Sequence, residues 1–282
     1  MSTKCITPFY VKQGLTSNDK IPVPCGKCPP CMKRRTSGWS FRLVKEGESS
    51  SNALFVTLTY NKEHVPKTKK GFLNLKKKDI QDYFKRLRKL EKTKIKYFVC
   101  GEYGTKTMRP HYHIILFNAN VKNVLKAWTL DKLEIGTIYI GNVAEASIGY
   151  TLKYMSKQGK IPLHKNDDRQ KEFQLMSKGL GKEYLTDKMI KWHKDDLENR
   201  MYIPMKDGKK IAMPRYYKDK MYNEREKDRI VRKMQELALI EDKNLQRQYG
   251  ENIYSELAKQ HIDAFRKMHK KSIESRNKRH GI

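Results

Sequence analysis

Apolar positions along this chain recur at two periods, and segments of the two kinds alternate. Residues 53–60, 95–103 and 111–118 are short runs rich in Val, Ile, Phe, Tyr and Thr, and each predicts a strand. Between the first two, Ile80, Tyr83, Phe84, Leu87 and Leu90 follow i, i+3, i+4, i+7 spacing, which predicts a helix over 75–92 capped by Asn74. A short helix near 121–129 and a strand at 136–140 come next, then a helix over 145–158 that ends before Gly159. The order predicts an α+β protein on a split ferredoxin-like (βαββαβ) sheet, with the 145–158 helix lying across one sheet face. Residues 160–217 read as loop-rich with short elements, and 219–280 as charged helix broken near Gly250. The expected organisation is a cysteine-rich segment over 1–45, a sheet-bearing core over 46–160, a loop-rich extension of that core over 161–218, and a charged helical region over 219–282.

Within the 145–158 helix, Tyr150, Lys153, Tyr154 and Lys157 fall on one stripe, and Ile148, Leu152 and Met155 on the opposite one. Two phenols one turn apart can reach the same small volume. A phenol ionises only near pH 10, so as a nucleophile it needs help from positive charge or a metal. The bland reading is two half-buried tyrosines on an amphipathic helix. It loses ground because other residues already supply the apolar face.

Upstream, Arg109-Pro110-His111-Tyr112-His113 opens a strand through a proline. Strand alternation puts both imidazoles on one face and Tyr112 on the other. Two imidazoles at i,i+2 make a compact bidentate metal platform. A hairpin from the preceding strand, Lys96 to Glu102, brings Glu102 alongside as a third, oxygen ligand.

Charge narrows the class of partner. The 61 Lys and Arg against 31 Asp and Glu give a formal net charge of +30, far beyond what solubility requires. Residues 1–218 hold 45 of the basic and 20 of the acidic side chains, so the excess lies with the histidines and tyrosines rather than in the C-terminal region. The densest block, Lys62 to Lys96, has 14 basic residues and four acidic ones. A phosphate backbone rewards such a surface through counterion release. Lys76, Lys77, Lys78 and Arg86 from this block, with Arg109 before the histidines, are the candidate DNA contacts.

Cys25, Cys28 and Cys31 stand at Cys-x2-Cys-x2-Cys, and Cys5 offers a fourth thiol. Four thiolates in tight loops point to a structural Zn²⁺, the alternatives being free thiols or an iron–sulfur cluster. Cys100, on a strand, reads as a core residue. No apolar run approaches the length of a membrane span, and Met1 to Cys5 is no signal peptide, so a soluble intracellular protein with no membrane partner is expected. Gly179-Leu180-Gly181-Lys182 is too short for a nucleotide-binding loop, so the chain is not expected to be its own helicase.

His111-Tyr112-His113 resembles the His-hydrophobic-His signature of the HUH endonucleases, and Tyr150-x-x-Lys153-Tyr154-x-x-Lys157 resembles their two-tyrosine rolling-circle initiators. The segments Pro24 to Cys31, Gly101-Glu102-Tyr103-Gly104 and Met213-Pro214-Arg215-Tyr216-Tyr217 are similar to the replication initiation proteins of the gokushoviruses, small single-stranded DNA phages of the microvirus family. The likeness runs from Cys5 to Tyr217; Met32 departs from it, where Arg follows the third cysteine in the family pattern. The resemblance implies an HUH endonuclease core and Mg²⁺ or Mn²⁺ on His111, His113 and Glu102. It also implies Tyr150 and Tyr154 as nucleophiles, with Lys153 and Lys157 steadying the phosphate. The implied reaction nicks single-stranded or supercoiled phage origin DNA through a 5′-phosphotyrosyl intermediate. It leaves a 3′-OH primer and later rejoins the displaced strand, with host helicase and polymerase in the host bacterial cytoplasm. A transposase or relaxase of the same chemistry and a non-catalytic zinc-containing DNA-binding protein are the alternative readings. Oligomeric state is not legible.

Overall fold

Leu54, Val56 and Leu58 point to one side of an extended segment and Phe55, Thr57 and Thr59 to the other, which is the alternation of a strand buried in a sheet. In the computed structural model, residues 5–12, 20–104, 106–156, 161–205 and 208–277 are described. The strands are β1 (Phe9–Lys12), β2 (Lys20–Val23), β3 (Ala53–Thr59), β4 (Lys96–Tyr103), β5 (Pro110–Phe117), β6 (Thr129–Leu130), β7 (Leu133–Glu134), β8 (Ile138–Asn142), β9 (Phe173–Met176), β10 (Tyr202–Pro204) and β11 (Lys210–Ala212). The α-helices are α1 (Pro29–Glu48), α2 (Lys77–Leu90), α3 (Val121–Ala127), α4 (Glu145–Ser156), α5 (Asp187–Asp195), α6 (Arg215–Met221), α7 (Glu224–Tyr249) and α8 (Ile253–Asn277). Two units divide the chain: Trp39–Tyr184, and a second made of Met1–Gly38 with Leu185–Ile282.

The first unit is built on a five-stranded antiparallel sheet in the order β8-β3-β5-β4-β9. Its central strand is β5. On one face, Ile80, Tyr83, Phe84 and Leu87 of α2 and Val124 and Ala127 of α3 pack with Val56, Leu58, Val99, Tyr112, Ile114 and Leu116. On the other, Leu43 of α1 and Ile148 and Leu152 of α4 pack with Phe98, Cys100, Ile115 and Phe117. The mixed α+β architecture and the apolar stripes of α2 and α4 agree with the sequence reading. Met155 of the α4 stripe has no described side chain, and Gly159 lies outside the described residues.

Several boundaries differ, each for a local reason. Asn74 does not cap α2: its Oδ1 accepts from the Gln170 N–H at 2.7 Å and the Tyr103 hydroxyl at 3.2 Å, and the helix starts at Lys77 from an extended Lys76. Leu90 is exposed, at the end of α2. The last strand begins at Ile138 rather than 136, because Gly136 passes against β3; a Cβ there would lie 1.8 Å from the Thr59 carbonyl oxygen. The 20-residue α1 was not legible within the cysteine-rich segment, although its Pro29-Pro30 start is a normal opening for a first helical turn. Nor was β9, which pairs with β4 at the sheet edge from inside the loop-rich 161–218 stretch.

In the second unit, β1 and β2 form one hairpin and β10 and β11 another. Asn223 and Glu226 cap α7 reciprocally, side chain to backbone in both directions. A single turn of 3-10 helix at Gly250–Asn252 separates α7 from α8, as the glycine predicts.

Candidate functional site

The β4–β5 hairpin sets the site. The Gly104 N–H donates to the Arg109 carbonyl at 2.9 Å, and the Arg109 guanidinium donates to the Tyr60 carbonyl, so the strand enters from a tethered turn. This register pairs Glu102 with His111, and Cys100 with His113. Glu102, His111 and His113 therefore share the sheet face on which α4 packs.

Oε1 of Glu102 lies 2.8 Å from Nε2 of His111 and 3.2 Å from Nε2 of His113. Glu102 and His113 are buried and His111 is half-buried. One ligand atom from each of the three falls within 4.8 Å of the others. The remaining ring nitrogens are also engaged. His111 Nδ1 is 3.1 Å from the Arg109 carbonyl oxygen, and His113 Nδ1 is 3.0 Å from Oγ1 of Thr57. Such outer contacts fix ring orientation and leave both Nε2 atoms facing the carboxylate, which is how metal-ligating histidines are held. Two imidazoles and one carboxylate are a donor set that suits Mn²⁺ and accommodates Mg²⁺.

Tyr150 stands at this cluster. Its ring meets that of His113 edge-on at 5.0 Å between centroids, and that of Phe55 at 6.2 Å, while Phe55 stacks on His113 at 5.8 Å. Lys153 is half-buried, one turn further along α4. Tyr154 belongs to the same helix, but its side chain is not among those described, and Lys157 lies outside the described residues. Cys100 is buried, with Sγ 3.5 Å from the Thr151 carbonyl of α4, and burial pushes its thiol well up.

On the opposite face, the Tyr112 hydroxyl accepts from the Lys76 N–H at 3.0 Å, donates to the Lys76 carbonyl at 3.1 Å and meets the Tyr60 hydroxyl at 2.8 Å. Tyr60 in turn donates to Asp79 at 3.0 Å. Burial raises both phenols far above their ordinary range.

The structure does not bring the candidate DNA contacts on α2 to the histidines, because α2 covers the other face of the sheet. Lys76 pairs with Asp79 at 3.2 Å, Lys78 pairs with Asp82, and Arg86 Nε donates to the Ala127 carbonyl at 2.9 Å; Lys77 is exposed. Lys76 and Arg86 line a cleft of about 130 Å³, but Asp79 and Asp82 line it too. Arg109 is the candidate contact nearest the histidines in sequence, and its guanidinium is tied to Tyr60. Sequence reasoning missed Phe55 and Thr57. Their shared face was readable from alternation, but their place beside His113 depends on β3 pairing with β5. In the second unit, Cys5, Cys25, Cys28 and Cys31 form another group whose sulfur atoms all lie within 4.8 Å.

A family model for the replication-associated protein ORF2 matches residues 53–159, which run from β3 past the end of α4. The chain is 31% identical over 237 residues to the replication-associated protein ORF2 of Spiroplasma virus 4, covering 78% of this chain and 73% of that protein. The chain belongs to this family of phage replication-associated proteins. It is also 27% identical over 217 residues to the replication-associated protein VP4 of Bdellovibrio phage phiMH2K, across 70% of this chain and 66% of the relative. With the replication-associated protein ORF4 of Chlamydia phage 1 it shares 24% identity over 223 residues, 71% of this chain and 53% of that one. No solved structure matches. Glu102, His111, His113, Tyr150 and Tyr154 all fall inside the matched 53–159 segment of the replication-associated family. No helix among the described residues is long and apolar enough to cross a membrane.

Proposed function

We propose that this chain initiates rolling-circle replication of a small single-stranded DNA phage genome, as a site-specific HUH-type endonuclease and strand transferase acting through tyrosine. The observation that carries this reading is Tyr150 packed edge-on against His113, one of three convergent ligand residues, inside the segment matched by the replication-associated family. The sheet order β8-β3-β5-β4, antiparallel throughout, supports a split ferredoxin-like core for the enzyme.

A divalent cation held by Glu102, His111 and His113 supplies Lewis-acid polarisation of the scissile phosphate. The phenolic oxygen of Tyr150 attacks phosphorus. A Tyr–O–P bond forms, the bond to the 3′-oxygen breaks, and the phenolic proton is balanced by one gained at the departing 3′-OH. The product is a 5′-phosphotyrosyl chain and a free 3′-OH, which primes a host polymerase behind a host helicase in the host cytoplasm. Phosphodiester energy is kept in the adduct, so attack by a 3′-OH rejoins the strand without a nucleotide cofactor. Tyr154, one turn after Tyr150, serves as second nucleophile when the regenerated origin is cut. Lys153 and Lys157 steady the phosphate by charge. The +30 net charge supports a long single-strand contact, with stacking on exposed aromatic rings.

The test is adduct formation on labelled single-stranded origin DNA with Mn²⁺. Tyr150→Phe and Tyr154→Phe should each still nick, at reduced rate, and each should fail to close circles. The double variant should form no adduct. An adduct that survives in the double variant overturns the reading.

A further inference from the structure

Among the described side chains of residues 5–31, only Cys28 and Cys31 are buried. Phe9, Tyr10 and Val11, the apolar residues of β1, are 54%, 64% and 45% exposed. This segment therefore has no apolar core of its own to hold it in one conformation, yet four thiols converge in it. Domains this poor in buried apolar surface are held by disulfides or by metal. No disulfide joins these cysteines.

We infer that Cys5, Cys25, Cys28 and Cys31 hold one structural Zn²⁺, a metal centre separate from the histidine site. Three observations carry it. The first is spacing. A zinc ion with four sulfurs at about 2.3 Å in a tetrahedron has sulfurs about 3.8 Å apart along each edge. Sγ of Cys5 and Sγ of Cys28 are 3.8 Å apart, and all four sulfurs fall within 4.8 Å of one another. A disulfide needs sulfurs at about 2.05 Å, far closer than this pair. A multi-iron cluster binds its thiolates to different irons, which sets them further apart than a single ion does.

The second observation is the backbone of the Cys25–Cys28 turn. Gly26 has φ +71°, and a Cβ there would meet nothing within 4 Å, so the glycine serves the left-handed turn rather than a close approach. That turn aims the N–H groups of Lys27 and Cys28 at Sγ of Cys25, at 3.4 and 3.3 Å. The Cys25 N–H points at Sγ of Cys5 at 3.2 Å, and the Thr7 hydroxyl at Sγ of Cys25 at 3.4 Å. A neutral thiol is a weak acceptor that does not organise so many donors, whereas a metal-bound thiolate does.

The third is charge. Four thiolates around Zn²⁺ leave a net charge of −2. Cys31 lies in the first turn of the 20-residue α1, whose N-terminus favours negative charge, and Lys27, Lys33, Arg34 and Arg35 belong to the same stretch. Soft thiolates also select against the hard Mg²⁺ or Mn²⁺ expected on the histidines, so the two centres sort their ions by chemistry.

The test uses the full chain, purified without added metal. Elemental analysis should give about one zinc per chain in the wild type and in His113→Ala alike, on the rule of four ligands per structural zinc. Cys28→Ser should lose that zinc. In the wild type, Cys5, Cys25, Cys28 and Cys31 should resist a thiol reagent until a strong chelator is added, and zinc release should track their exposure. Cobalt replacement should give thiolate-to-metal charge-transfer absorption, which two imidazoles and a carboxylate cannot produce. Zinc-free protein with all four thiols reactive in the native state would overturn the inference, as would one iron per chain. Because His113→Ala keeps the cysteines intact, these readouts stand whether or not the chain cuts DNA.

Discussion

The hydroxyl of Thr57 lies 3.0 Å from Nδ1 of His113, and the two residues face each other directly across β3 and β5. The contact holds the ring so that Nε2 faces Glu102. Thr57→Val keeps shape and β-propensity and removes only the oxygen. It should weaken divalent-ion affinity about 10- to 100-fold, the usual cost of losing such a partner, with little change in melting temperature. A Mn²⁺ titration of cleavage reads the shift directly, and an unchanged midpoint would deny the hydroxyl this role.

Metal and DNA affinity should separate. His113→Ala removes a ligand from a buried cluster and should abolish cleavage. DNA retention at low salt should stay within about twofold, because affinity comes from many distributed lysines. Glu102→Gln should behave alike, since it preserves the side-chain outline and deletes the charge that both Nε2 atoms face. Filter binding across a salt series, beside a cleavage assay, is the measurement. Parallel loss of both properties would mean that the cluster is structural.

A pH dependence is built in at Asp167. Its carboxylate accepts two bonds from Arg169, both 2.8 Å, and one from the Leu163 N–H at 2.8 Å, and both side chains are nearly fully buried. The Arg169 guanidinium holds its pKa well below the ordinary carboxylate value of about 3.9. The folded value being the lower one, this stability is fully present above about pH 4 and is lost as pH falls further, through the folded value. Asp167→Asn strands a buried guanidinium and should cost about 3 kcal/mol at neutral pH. The gap in melting temperature between wild type and variant should be constant from pH 5 to pH 7 and narrow below pH 4.

Gly136 admits no side chain. Its nearest neighbours for a Cβ are backbone atoms of Thr59 and Tyr60, at 1.8 to 2.7 Å, which cannot move without breaking the contact between the β8 entry and β3. Gly136→Ala should therefore cost at least about 3 kcal/mol, more than overpacking among side chains usually does. Chemical denaturation gives the value; a loss under about 1 kcal/mol would show that the segment can shift.

How much of this was legible in the sequence follows from the range of the interactions. The periods of α2 and β5 are local, and so is the face shared by His111 and His113, so all three can be read residue by residue. Glu102 was legible because a hairpin connects neighbours in sequence. Thr57 and Phe55 were not, since their contacts with His113 join segments far apart along the chain. Asn74 has the chemistry of a cap, but Gln170 and Tyr103 compete for its carbonyl. The four residues of β9 are too few for a period to emerge, and only the exposed edge of β4 makes them a strand. The basic block at Lys62–Lys96 marks a nucleic-acid protein in composition, yet its helix lies on the far side of the sheet from the histidines.

Tyr112, between the two histidines, also sets an error threshold for assembly of the sheet. Sliding β5 by one residue would turn both imidazoles into the apolar layer beneath α2 and send the phenol to the ligand face. The Lys76 N–H and carbonyl would then lose their partner, and Tyr60 would lose its neighbour. Aliphatic side chains in a β-branched strand tolerate a slipped alignment far better than a hydroxyl that must meet three polar groups. The middle residue of the motif thus proofreads the alignment of the strand that carries the ligands, and a chain carrying Tyr112→Phe would fold without that check.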